Sequence, residues 1–313
     1  MIRYALRRIL ATIPVFGIVA LFVFFILRMT AGDPASILAG ENATQDQIEG
    51  IRQSLGLDQP LIIQFKTWIS HMASGDFGQS YYFKVPVTDL LIDAAWPTIS
   101  LTITTLAFTL VVAIPLGVLA AYKRGSWLDR LIMGFSVVGF SVPAFLVGYL
   151  LIYVISIKLK LLPVQGYKPL SDDFWLWLKH LILPTLTVSM IYIALISRMT
   201  RASVVETLGQ DYVRTARAKG QVEWRVVVRH ALRNAAGPII TVVGIGVALL
   251  VGGVVITETV FNIPGIGRLT VDAVLGRDYP TTQAIILLFS FIYVLVNLLT
   301  DLACFLFDPR IRE

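Results

Sequence analysis

The chain has 313 residues, of which 56% are hydrophobic and 15% charged, and its formal net charge is +6. A soluble domain carries charge on about a quarter of its residues, so this composition excludes one and points to a polytopic α-helical membrane protein. The basic excess reads as a topology signal and not as a nucleic-acid footprint, and the single cysteine, Cys304, excludes an intramolecular disulfide and a cysteine-based metal cluster.

Six apolar runs approach or exceed the length that crosses a bilayer: 9–28, 97–122, 131–157, 180–199, 235–257 and 283–307. The first follows Arg3, Arg7 and Arg8. It is too long for a signal-peptide core, and Thr30-Ala-Gly is a poor cleavage site, so an uncleaved span is expected. Residues 29–96 are mostly polar yet patterned. Thr44-Gln-Asp-Gln47 resembles a capping box opening a helix with Ile48, Ile51 and Leu55 on one face, which Gly56 would end. A second helix is expected after Asp58-Gln-Pro60, with Leu61, Phe65, Trp68 and Met72 at helical spacing, and Gly75-Asp-Phe-Gly78 closes it. Two parts follow: 1–96, the first span plus an external helical cap, and 97–309, which holds five spans. Pro115, Pro143 and Pro184 are expected to interrupt their helices, and Thr98, Thr102, Thr104, Thr105 and Thr109 suggest a partly polar face on the second span.

Orientation follows from lysine and arginine. With the N-terminus in the cytoplasm, segments 1–8, 123–130, 198–233 and 310–313 hold 16 of the 26 basic residues. The opposite side holds the other 10 in longer stretches that also carry 13 acids. Both termini are therefore expected inside. The 123–130 turn, Lys-Arg-Gly-Ser-Trp-Leu-Asp-Arg, says little by itself. Trp175 and Trp177 read as an aromatic belt on the outer side.

The inner segment 199–233 contains a polar island, Asp211-Tyr-Val-Arg-Thr-Ala-Arg-Ala-Lys-Gly220, then His230-Ala-Leu-Arg-Asn-Ala235. The island reads as a two-turn helix over 212–219, with Asp211 as its N-cap and Gly220 in the left-handed conformation that ends it. Thr215, Ala216 and Ala218 supply a small-residue surface; Arg214, Arg217 and Lys219 supply charge. So short a rod cannot stabilise itself; its expected use is to dock into a partner.

Other chemistry finds no support. There is no G-x-x-x-x-G-K-[ST] for ATP, no H-E-x-x-H, and His71, His180 and His230 are scattered. No catalytic cluster and no metal site are expected, so the chain is not read as an enzyme. A stand-alone ion-coupled carrier is the competing class, and it would favour internal repeats and several deep acids. Here Asp301 is the one deep acid, expected to pair near the inner interface, while Glu258, at the outer end of the fifth span, is expected to brace the following loop.

With these residues in view, the chain resembles the permease subunits of bacterial ABC importers, in the dipeptide/oligopeptide branch that also includes glutathione and nickel permeases. Such permeases carry an inner loop written E-A-A-x-x-x-G followed by I-x-L-P. With the glycine on Gly220, the leading positions fall on Arg214, Thr215 and Ala216, and the later ones on His230, Leu232 and Arg233. Only Ala216, Gly220 and Leu232 keep the general pattern; the string R-T-A-R-A-K-G with H-A-L-R-N-A is similar to the peptide branch's own version. Ala31-Gly-Asp-Pro34, Leu55-Gly-Leu-Asp-Gln-Pro60, Gly75-Asp-Phe-Gly78, Phe261-Asn-Ile-Pro-Gly-Ile-Gly267, Arg277-Asp-Tyr-Pro280 and the ending Asp308-Pro-Arg look like the larger of that branch's two permeases.

The resemblance implies an all-α, six-span, type I importer permease in the bacterial inner membrane, forming half of a translocation pathway for short peptides. It implies a second homologous permease, two cytoplasmic P-loop ATPases that hold ATP and magnesium, and a periplasmic or lipid-anchored binding protein. This chain itself would carry no cofactor. The 212–219 helix would be the coupling helix, with Asp211, Arg214, Thr215, Ala216, Arg217, Lys219, Gly220, His230 and Leu232 at the ATPase contact. No substrate-binding residue is assigned.

Overall fold

A computed structural model describes residues 2–29, 33–40 and 43–307. Ala31 and Gly32 of the first-span exit and the Asp308-Pro-Arg ending lie outside the described residues, as do the side chains of Arg3, Arg7 and Arg8. In chain order the helices are α1 (Ile2–Met29), α2 (Pro34–Ala39), α3 (Gln45–Ser54), α4 (Leu61–Ala73), α5 (Val87–Tyr122), α6 (Trp127–Ser141) and α7 (Ala144–Leu151). They continue as α8 (Phe174–Leu208), α9 (Asp211–Ala218), α10 (Glu223–Arg225), α11 (Ala236–Val260), α12 (Ile266–Leu275) and α13 (Tyr279–Phe307). Wider π-helical turns extend α7 over Ile152–Lys158 and α10 over Val226–Leu232. Among the described residues, extended backbone pairs only at Gln79 and Pro86.

Four helices, α5, α8, α11 and α13, are long and apolar enough to cross a membrane; α6 with the extended α7 makes a fifth if that bent pair is one span. The apolar stretch of α1, Leu10–Phe25, is shorter. The run at 131–157 is thus not one rod. It breaks at Val142 and turns through 101°. Pro143 has no N–H to donate and pushes the residue before it out of the helical region, and Val142 is extended at φ −92°, ψ 123°. Pro115 and Pro184, expected to interrupt their helices, do not: α5 and α8 run through them. Neighbouring helices make that tolerable, and Pro184 is buried.

The residues group into two compact units, Met1–Trp96 with Arg268–Val294, and Pro97–Gly267 with Leu295–Glu313. In the first, the capping box is formed as read: the Thr44 N–H donates to Gln47 Oε1 at 2.9 Å, and the Gln47 N–H donates to Thr44 Oγ1 at 3.4 Å. Phe24, fully buried, stacks edge-on against Phe65 and lies 5.6 Å from Trp68, whose indole N–H donates to Gln283. Buried Asp278 accepts from Ser80 Oγ, the Tyr81 N–H and Thr281 Oγ1, fixing the turn after Gln79.

In the second unit α8 is the axle. Leu181, Leu183, Val188 and Tyr192 meet Leu101, Ile152, Leu250, Val254 and Phe261 in the largest core. Close approach there depends on missing side chains: a Cβ on Gly117 would lie 2.6 Å from the Ser197 carbonyl oxygen, and one on Gly244 would collide with Thr300. Small residues at such crossings let helix backbones touch where lipid offers no hydrophobic drive.

Candidate docking site

The polar island folds as a rod seated on its own chain. After α8 ends at Leu208, Gly209 and Gln210 turn the backbone, and α9 begins at Asp211. Val213 and Ala216, three residues apart and so on one face, are buried against Val226 with Leu208 packed beside them. Asp211, Arg214, Thr215, Ala218 and Lys219 point away and are exposed. The far end closes as expected: Gly220 takes φ +74°, its N–H donates to the Arg217 carbonyl at 2.9 Å, and the Gln221 N–H reaches the Ala216 carbonyl.

Two details differ from the sequence reading. Asp211 is not the N-cap. Gln210 occupies that position, without a side-chain cap bond, and the helix is Asp211–Ala218, not 212–219. The Asp211 carboxylate lies in the first turn, where it still suits the positive end of the helix, and takes a 3.4 Å contact from Arg214. Ala216, expected on the small-residue docking surface, faces inward at 7% exposure. Its smallness serves the seating of α9 on the chain.

The remaining predicted residues split by role. Arg217 forks onto Glu223, with Nη2 at 2.7 Å from Oε1, and this hydrogen-bonded carboxylate raises the guanidinium pKa further above its ordinary value. The pair clips the end of α9 to α10. A His230 ring nitrogen lies 2.8 Å from Gln221 Oε1, bracing the loop between the two helices. Leu232 packs beside Ala121, Val204, Ala231, Ala235 and Ile239 and belongs to the core. What remains for a partner is a strip of Asp211, Arg214, Thr215, Ala218 and Lys219.

Sequence reasoning missed an ion pair that the fold builds nearby. Asp129, 4% exposed, receives Arg201 in a bidentate fork, Nε at 2.5 Å and Nη2 at 2.7 Å. The Gly125 N–H adds a third bond at 2.9 Å. The readable signal was Ser126-Trp-Leu-Asp129, which caps α6: the Asp129 N–H donates to Ser126 Oγ. Nothing in the sequence pairs it with a residue 72 positions on.

At the other end of α11, Glu258 is fully buried and accepts from Thr98 Oγ1 at 2.6 Å. Thr98 Oγ1 in turn accepts from the Ile266 N–H at 2.8 Å, while the Glu258 carbonyl holds the Ile263 N–H at 2.8 Å. Gly265 and Gly267 leave room for this carboxylate, so the acid braces the Phe261–Gly267 loop. Asp301 is half-buried.

No nucleophile, base or metal-ligand set converges at α9. Its geometry offers recognition: a rod fixed to the end of α8 and presenting mixed charge. Comparison with known proteins agrees. Residues 113–313 match the family described as binding-protein-dependent transport system inner membrane component, and residues 1–102 match its N-terminal companion. The chain is 50% identical over 309 residues, 99% of both chains, to the "Probable peptide ABC transporter permease protein y4tP" of Sinorhizobium fredii (strain NBRC 101917 / NGR234). It is 45% identical over 312 residues, all of this chain and 99% of the other, to the glutathione transport system permease protein GsiC of Escherichia coli (strain K12). Among solved structures, an inward-facing methionine ABC transporter, MetNI, shares the fold with a TM-score of 0.59 at 18% identity, over 70% of this chain and 96% of the other. The chain belongs to the binding-protein-dependent transport system inner membrane component family, as a multi-pass inner-membrane permease subunit of a dipeptide/oligopeptide-type ATP-driven importer.

Proposed function

We propose that this permease forms half of a translocation pathway for short peptides, pairs with a second homologous permease, and is driven through α9 by two cytoplasmic P-loop ATPases. A periplasmic or lipid-anchored binding protein delivers the cargo. Six crossings with both termini in the cytoplasm put α9, with most of the basic residues, on the ATPase side. The observation that carries the reading is the two-faced packing of α9: Val213 and Ala216 bind it to Leu208 and Val226, while its outer strip serves no contact beyond the Asp211–Arg214 pair and local backbone bonds. A helix held this way moves with the end of α8 and can hand motion in either direction.

Peptide cargo is supported by the 50% identical relative, and glutathione, itself a small peptide, by the 45% identical one. Cargo choice between them is assigned to the binding protein.

The test is co-purification from the native host in mild detergent, with Thr215→Trp as the probe. Its side chain projects from the exposed strip, so the fold tolerates it. We expect the second permease to stay and the ATPases to fall at least about tenfold, the loss of one interface hot spot. Thr215→Trp together with Arg214→Glu and Lys219→Glu retaining the ATPases at the wild-type ratio overturns the reading.

A further inference from the structure

The buried pair Asp129–Arg201 has no part in docking, and a buried ion pair is weak support for stability, because desolvation offsets its attraction. Its placement suggests another use. Arg201 lies on α8, seven residues before Leu208, and Asp129 lies in the first turn of α6. Between the same helices, Ser136 and Ser197 are hydrogen-bonded at 3.3 Å, the Arg198 guanidinium stands 5.5 Å from the Phe140 ring, and Gly139 lets Met190 and Ala194 approach closely. The last four residues of α8 and the whole of α9 hang beyond this zipper. On its other side α6 ends at the Pro143 break, after which α7 is bent by 101°.

We infer that Asp129 and Arg201 are positioning residues of the transport cycle: a rigid joint that makes α6 move as one body with α8 and α9. A bidentate guanidinium–carboxylate fork fixes distance and orientation together, and the Gly125 N–H and Ser126 cap anchor the carboxylate to the start of α6. Motion delivered at α9 thereby reaches the broken α6–α7 element, which can swing at Val142–Pro143, instead of being lost by sliding between smooth apolar helices. This inference rests on the reading of α9 as the ATPase contact.

The experiment uses the whole importer complex in nanodiscs, with Cys304→Ser as background and spin labels at Val137→Cys on α6 and Arg214→Cys on α9. Both positions are exposed. Distances are measured nucleotide-free and after trapping with ATP and vanadate. The joint predicts that this distance stays constant between the two states, within about 2 Å, the scale of small helix shifts. In Asp129→Ala/Arg201→Ala, which leaves no lone buried charge, and in Asp129→Asn, it predicts a change beyond that scale on trapping. An equal response in wild type and both variants, whether constant or changing, overturns the inference. The Thr215→Trp co-purification separates the two ideas. Retained ATPases there mean the α9 reading has failed, whereas lost ATPases with unaltered label distances mean only the joint has failed. If the double variant does not assemble, Asp129→Asn alone carries the same two outcomes.

Discussion

Thr98 illustrates how a single hydroxyl can hold a loop to a helix. It donates to the buried Glu258 carboxylate and accepts from the Ile266 N–H, so Thr98→Val removes both bonds while keeping the side-chain volume. Leaving buried polar groups short of partners costs roughly 1–3 kcal/mol. We expect a lower unfolding midpoint in detergent and faster proteolysis of the Phe261–Gly267 loop, checked by thermal melting with limited digestion. A midpoint equal to wild type would remove the bracing role. The pairing of Asp129 with Arg201 belongs to the same scale and gives the opposite pattern for single and double changes. Asp129→Ala alone strands a buried guanidinium, at a cost of about 3–5 kcal/mol, and removing both charges costs far less. Neither partner was readable from sequence. Glu258 as a brace was, because an acid at a span's outer end before Asn-Ile-Pro-Gly has a loop within reach.

At the scale of elements, the glycines divide by what surrounds them. Gly117→Ala drives a methyl into the Ser197 carbonyl and Thr200 on α8, and Gly244→Ala drives one into Thr300 on α13. Overpacking of this kind costs about 1–3 kcal/mol. Gly134 on α6 faces open space, so Gly134→Ala is expected to be neutral or stabilising by about 0.5–1 kcal/mol through helix propensity. Equal melting behaviour for the three alanine variants would show that these crossings are looser than described. For α9, Ala216→Trp must be read differently from Thr215→Trp. A large residue at the inward site unseats the helix from Val226 and Leu208, so its phenotype is loss of fold at 199–233, seen as new protease cleavage there. The caps around α9 were legible as types, a helix with a terminal glycine. Which alanine faced inward was not, since Ala216 and Ala218 are chemically identical and only the seat on Val226 distinguishes them.

For the whole molecule the prediction is topological. In a Cys304→Ser background, Tyr82→Cys and Leu275→Cys, both exposed, are expected to react with a membrane-impermeant maleimide in spheroplasts. Val222→Cys, equally exposed, is expected to react only after permeabilisation. Labelling of Val222→Cys from outside would invert the orientation and remove α9 from the ATPase side.

The sequence by itself determined the membrane class, the polar cap helices with their capping box, the island at 211–220 and the family, because these depend on local composition, periodicity and strings of adjacent residues. The tertiary structure decided the rest. It bent the third apolar run at Pro143, carried α5 and α8 straight through Pro115 and Pro184, turned Ala216 inward, and joined Asp129 to Arg201. Each depends on which neighbour fills the space beside a residue. That neighbour lies many positions away along the chain, where no local pattern records it.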